Sequence, residues 1–239
     1  MKIEKKSWIA IAIIFGVLLI DQIVKIWVKT HMHIGDEIHF LGDRGIIHFT
    51  ENEGMAFGMT LGGWWGKLSL SLFRIVAITL LTWYLVKMIK RKTATMGFVI
   101  CWSLIIAGAT GNIIDSAFYG LIFNDSYYQI STLFPPEGGY APFLHGRVVD
   151  MFYFPLLHGF WPDWMPILGG KEFLFFRPVF NIADSSITMG AIILLLFNRK
   201  IFKTVQNSNT ESEATAPEDK PLYPQTPKII DNTHEVRQD

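Results

Sequence analysis

Only one cysteine, Cys101, is present, and it lies within an apolar run. Neither a disulfide framework nor a cysteine-based metal site is therefore available. Net charge is absent too: 21 basic and 21 acidic residues cancel, which removes the electrostatic case for nucleic-acid binding. No Ser-His-Asp set, HExxH or Gly-x-Ser-x-Gly pattern occurs. The histidines of the first polar stretch, His31, His33, His39 and His48, lack metal-ligand spacing, so no metal or cofactor is expected. Charged residues of either sign make up only 18% of 239 positions, against 50% hydrophobic ones. Eight Trp and 19 Phe complete a composition that points to a membrane protein with aromatic side chains at its interfaces.

A helix needs roughly 20 apolar residues to cross a bilayer. Four segments qualify, at about 8–28, 68–88, 96–119 and 179–197. Lys2, Lys5 and Lys6 precede the first; Lys87, Lys90, Arg91 and Lys92 join the second and third; Arg199, Lys200 and Lys203 follow the fourth. With four spans all three clusters share one side, which the positive-inside rule makes cytoplasmic, together with both termini. The outer loops are then 29–67 and 120–178. No small-x-small site follows the first apolar run, so it is expected to be retained as an anchor rather than cleaved. The membrane domain covers 1–203, and the polar, proline-bearing stretch 204–239 is expected to be a disordered cytoplasmic tail.

Placed on this topology, the polar residues of the spans gather at one face. Asp21 and Lys25 share a helix face near the outer end of the first span. Asn112 and Asp115 lie towards the outer end of the third, and Asn181 and Asp184 at the outer start of the fourth. Asp150 stands just before the fourth span, between apolar neighbours. A carboxylate at membrane depth is costly, so each is a functional candidate. Plainer roles compete: an intrahelical ion pair for Asp21 and Lys25, helix capping for Asn181 or Asp184, and an ordinary loop carboxylate for Asp150. Two close aspartates share a proton and titrate as a pair. The ionised member can activate water while the protonated one polarises a carbonyl, which is acid–base hydrolysis without a covalent intermediate.

Five motifs resemble those of the lipoprotein signal peptidases, or signal peptidase II: DQIVK (21–25), NEGMAFG (52–58), GATGNIID (108–115), VVDMF (148–152) and FNIADSSITMG (180–190). They occur in that family's order. The resemblance implies an all-α polytopic membrane protein of four transmembrane helices, with a small β-rich extracytoplasmic element and a partly helical outer loop. It implies that Asp150 and Asp184 are catalytic and that Asp21, Lys25, Asn52, Gly54, Asn112 and Asn181 bind substrate or support the site. Its implied activity is a metal-free aspartic endopeptidase of the bacterial inner membrane, monomeric, with its site at the periplasmic face. Its implied partners are membrane lipids and diacylglyceryl-modified prolipoproteins, cut just before the lipidated cysteine.

The chain departs from that family in two ways. Ser116 stands where the family usually has an arginine after GNxxD, with Arg147 or Arg177 as candidate substitutes. The segments 121–145 and 155–178 also look longer than the common form, and the second is rich in aromatics (FWPDWMP, FLFF). As an interfacial segment, it would pack on headgroups or over the active site. Among rival readings, a transporter with an Asp21–Asp115–Asp184 relay would spread polar groups through the membrane depth rather than crowd them at one face. A non-catalytic lipoprotein receptor differs from the peptidase only in activity.

Overall fold

The computed structural model describes residues 4–53, 63–155, 157–167, 169–175 and 178–197. Gly54 and the tail expected over 204–239 lie outside these described residues. Helix α1 spans Lys5–His31, α2 Gly63–Lys90 and α3 Met96–Ile122, and all three are long and apolar enough to cross a membrane. At 1.5 Å per residue each extends about 40 Å, more than a hydrocarbon core of about 30 Å. A shorter apolar helix, α4, covers Ile182–Phe197.

Local chemistry sets the helix ends. After α2, Lys92 turns into the left-handed region at φ 59°, and the Thr93 N–H returns to the Met88 carbonyl at 3.2 Å. Such a reversal satisfies last-turn carbonyls of the helix. Thr95 then caps α3 by accepting from the Phe98 N–H at 3.2 Å. The basic connection is thereby reduced to a short hairpin between two long helices. Near its outer end α3 widens into a π-helix over Asp115–Tyr119 and closes with the α turn Gly120–Ile122.

The expected span 179–197 is corrected at its start. Val179–Phe180 is a strand, because the Asn181 side chain accepts from the Asp184 N–H at 2.8 Å and begins the helix at Ile182.

Strands β1 (Glu37–His39), β2 (Ile46–Asn52), β3 (Val148–Tyr153) and β6 (Val179–Phe180) form an antiparallel sheet in the order β1-β2-β3-β6. Strand β2 has the sequence IIHFTEN, and its register places Thr50 opposite Asp150 and Asn52 opposite Val148. A separate hairpin pairs β4 (Leu157–Phe160) with β5 (Glu172–Phe175). The partly helical outer loop expected over 120–178 is therefore a correction: beyond Ile122 its described residues are strands and turns. Pro135, Pro136 and Pro142 interrupt helical bonding in 121–145, and the aromatic segment pairs as strands.

Two apolar clusters lie on either side of a polar layer. Leu85, Met88, Ile89, Phe98, Val99 and Ile106 form one; Val28, Phe49, Tyr119, Phe123, Val149 and Met151 form the other, beneath the sheet. On the outside of the helices Phe15, Leu19, Phe73, Val76 and Leu80 are exposed, as lipid-facing positions would be. The segment following α3 folds back onto it. The Ala141 N–H donates to the Gly120 carbonyl at 2.9 Å and the Gly146 N–H to that of Ser116 at 2.8 Å.

Glycines let α3 reach its neighbours. A Cβ on Gly108 would overlap the Ala183 carbonyl oxygen and lie 2.7 Å from Ser186 Oγ, and one on Gly111 would lie 2.8 Å from Asp21 Oδ2. Close backbone approach of this kind is how small residues pack membrane helices. Gly108→Ala should push back the start of α4 and cost about 1–3 kcal/mol. Gly16→Ala, which meets nothing within 4 Å, should be neutral or slightly stabilising. Thermal unfolding of the two variants in the same detergent checks the contrast; equal melting temperatures would contradict it.

Candidate active site

The site is built on a cluster of charges with no access to solvent. Lys25 Nζ lies 2.9 Å from Asp21 Oδ2 and 2.7 Å from Asp115 Oδ2, and all three side chains are fully buried. The ammonium also donates to Asn112 Oδ1 at 3.0 Å. Three acceptors match its three N–H donors, which is how a buried lysine avoids an unpaired proton. Asp21 spends its other oxygen on the Ala183 N–H at 2.9 Å, so α1 supplies an acceptor to the first turn of α4. Gln22 closes the cluster by donating to Asp115 Oδ1 at 2.9 Å while accepting from Tyr119 OH at 3.1 Å.

Amides carry this order to the two candidate catalytic carboxylates. Because Lys25 fixes the oxygen of Asn112, the amide nitrogen points the other way and donates to Asp184 Oδ1 at 2.7 Å. Asn181 Nδ2 donates to Asp150 Oδ1 at 2.7 Å, with Asn112 Oδ1 and the Val149 carbonyl each at 3.2 Å. From β2, Asn52 donates to the second oxygen of Asp150. One strand thus holds Asp150 and one helix N-terminus holds Asp184, while three neutral side chains bind their oxygens without adding charge.

The environments of the two aspartates differ. Asp150 is 2% exposed, whereas Asp184 is half-buried. Burial, followed by the nearby charge of Asp184, pushes Asp150 from its ordinary 3.8 up to about 8. Lys25 and the Asn181 hydrogen bond pull it the other way without overcoming burial. A carboxyl in this state keeps its proton at neutral pH, and the arrangement can therefore offer one donor and one base to a single substrate bond.

Asp21 and Lys25 form an ion pair and also belong to the supporting framework, one bond removed from Asp184 through Asn112. Asn181 is the cap of α4, while Asp184 occupies its third position. Of the cations considered for the place of Ser116, Arg147 is committed elsewhere, at 2.9 Å to Glu51 and 3.0 Å to Asp125, and Arg177 lies outside the described residues. Arg74 on α2 is the residue whose guanidinium interacts electrostatically with Asp184, Asp115 and Asp150. Of the cluster's members, Asp115 was a functional candidate by its depth alone, without a role in the site, and Gln22 was not singled out in the sequence. The signal available for Gln22 was its place between Asp21 and Lys25 in an otherwise apolar helix.

A family profile described as "Signal peptidase (SPase) II" matches residues 13–199. A lipoprotein signal peptidase of Porphyromonas gingivalis is 50% identical over 211 residues, covering 88% of this chain and 92% of the relative. One from Amoebophilus asiaticus is 33% identical over 229 residues, covering 95% and 92%. Two solved structures described as bacterial membrane enzymes share the fold. One has a TM-score of 0.50 at 22% identity, covering 90% of this chain and 94% of its own. The other has a TM-score of 0.50 at 25% identity, covering 78% and 90%. With the profile spanning most of the chain and relatives this similar along nearly their full lengths, the chain belongs to the signal peptidase II family of lipoprotein-processing proteases.

Proposed function

We propose that this chain is an intramembrane aspartic endopeptidase that removes signal peptides from diacylglyceryl-modified prolipoproteins, cutting just before the lipidated cysteine. The observation that carries the reading is the pair Asp150 and Asp184, held by Asn52, Asn112 and Asn181 and unequal in burial. The family's lipoprotein signal peptidases give the substrate class.

In the proposed reaction Asp184 takes a proton from water, and the hydroxide oxygen forms a bond to the scissile carbonyl carbon. Asp150 gives its proton to the carbonyl oxygen, and a neutral tetrahedral diol results. Asp184 then passes its acquired proton to the departing amide nitrogen as the C–N bond breaks. Asp150 recovers a proton from one diol oxygen as the new carboxyl group forms. Asn112 donates a hydrogen bond to Asp184, and the Arg74 guanidinium interacts with it electrostatically. The supporting cluster keeps both carboxylates in place while substrate exchanges with water.

The topology that serves this chemistry has four spans and both termini in the cytoplasm, in the bacterial inner membrane. Asp150, on a strand, and Asp184, in the first turn of α4, then meet the peptide at the periplasmic face, where a lipid-embedded signal helix ends. A monomer suffices, since one chain supplies every group named. Gly54, outside the described residues, keeps the substrate-binding or supporting role that the family resemblance implies.

With purified diacylglyceryl prolipoprotein, Asp150→Asn and Asp184→Asn should each lower turnover by at least about 10³-fold. Both variants should keep the wild-type elution profile in detergent. Substantial turnover by either folded variant would contradict the pair.

Protonation also has a stability signature. Asp150 binds a proton in the folded chain up to about pH 8 but loses it near 3.8 when unfolded. Its stabilising contribution therefore declines as pH rises through that interval. Asp150→Asn removes the dependence: relative to wild type, its melting temperature should rise progressively between pH 5 and pH 8. A constant difference across that range would show that Asp150 does not hold its proton.

A further inference from the structure

The β4–β5 hairpin is a part of the outer layer that the hydrolytic reading leaves unused. Its arms pair from Leu157 opposite Phe175 to Phe160 opposite Glu172. Backbone bonds close the tip: the Trp161 N–H donates to the Lys171 carbonyl at 2.9 Å and the Gly170 N–H to the Trp161 carbonyl at 3.0 Å. Within it the Gly169 N–H donates to the Met165 carbonyl at 2.9 Å. The tip is thus a hydrogen-bonded turn with a defined outward face.

That face is apolar. Trp164 is 77% exposed and Ile167 88% exposed. Ile167 also sits at φ 71°, in the left-handed region that a β-branched side chain rarely adopts. A turn that merely needed a positive φ would carry glycine or asparagine there, as Gly170 does at φ 72°. A large apolar side chain kept in a strained position and pointed outward is best understood by what it contacts.

The hairpin's place in the fold bears on that contact. It is inserted between Tyr153 and Val179, which pair with each other in β3–β6. From Val179 the chain passes through Asn181 directly into α4, so the base of the hairpin lies where α4 enters the apolar layer. Short strand arms of this kind extend only about 13 Å at 3.3 Å per residue, which keeps the tip near the headgroup zone. Tryptophan is enriched at such interfaces. Asp163 and Lys171, both exposed, flank the tip, and charged side chains so placed favour headgroup level over the hydrocarbon core.

We propose that the β4–β5 hairpin is a membrane-interface anchor, whose tip residues Trp164 and Ile167 insert into the outer lipid surface. It tethers β3, the strand that carries Asp150, to the bilayer from which a membrane-embedded substrate arrives. The anchor requires only that the helices span a membrane and does not depend on the catalytic assignment.

Spin labelling tests this directly, because the single cysteine can be removed. In a Cys101→Ala background, Trp164→Cys and Ile167→Cys are labelled separately and placed in phosphatidylethanolamine–phosphatidylglycerol nanodiscs. Leu80→Cys, at a 58% exposed position within α2, gives a lipid reference. Asp43→Cys, whose native side chain is fully exposed, gives a water reference. Lys171→Cys reports on the neck of the hairpin.

Labels at 164 and 167 should collide with oxygen more than with a soluble nickel chelate, as at 80, whereas the neck label at 171 should retain nickel access. Nickel access at both tip positions matching that at 43 overturns the anchor. Suppression of both collision partners at the tip also overturns it, because the hairpin is then packed against protein as a cover over the site. The two tip labels give independent readings if one substitution disturbs the turn.

Discussion

Lys25 is the point on which the rest of the site depends. It is fully buried, with Asp21 and Asp115 as ionic partners and Asn112 as a neutral one. Desolvating three charged groups costs several kcal/mol per ion, so such a cluster is a poor source of stability in itself. What it provides is register. Asp21 and Lys25 belong to α1, Asn112 and Asp115 to α3, and the Asp21 carboxylate reaches the backbone of α4. Each bond between helices is lost if one of them turns or slides, and a poorly paired charge would then remain in an apolar interior. Three helices are consequently held in a single arrangement by groups that are expensive to separate.

That arrangement is transmitted outward by amides. An asparagine side chain has one acceptor end and one donor end, so fixing one end aims the other. Lys25 fixes the oxygen of Asn112 and the nitrogen meets Asp184; Asn181 uses its oxygen to cap α4 and its nitrogen to meet Asp150. The same residue that starts a helix thus orients a carboxylate on a neighbouring strand. The π segment at Asp115–Tyr119 serves the same end, because its changed turn accompanies the placement of Asp115 and its bond to Lys25. Glycines 108 and 111 leave the room for α4 and Asp21 to come this close.

Much of this was legible in the chain because polar residues in apolar runs are few. The three long helices follow from hydropathy, and Asp21, Lys25, Asn112, Asn181 and Asp184 stand out where lipid would admit no charge. Which of them touch was not legible: the spacing of Asp21 and Lys25 predicts their ion pair, but the bond from Lys25 to Asp115 crosses between helices. The start of α4 was misplaced because Val179 and Phe180 suit a strand as well as a span, and the Asn181 cap decides between them. Sheet pairing between β2 and β3 joins segments about a hundred residues apart, with no local pattern to announce it. The role of Arg74 likewise depended on α2 lying beside carboxylates from other elements.

In the proposed mechanism two unequal aspartates share one proton, with Asp150 as its holder. The pH dependence of kcat/KM for a diacylglyceryl prolipoprotein tests it most directly. The rate should fall on the alkaline side near pH 8, as Asp150 loses the proton it must donate. A rate that stays level well above pH 8 with folded enzyme would contradict the account.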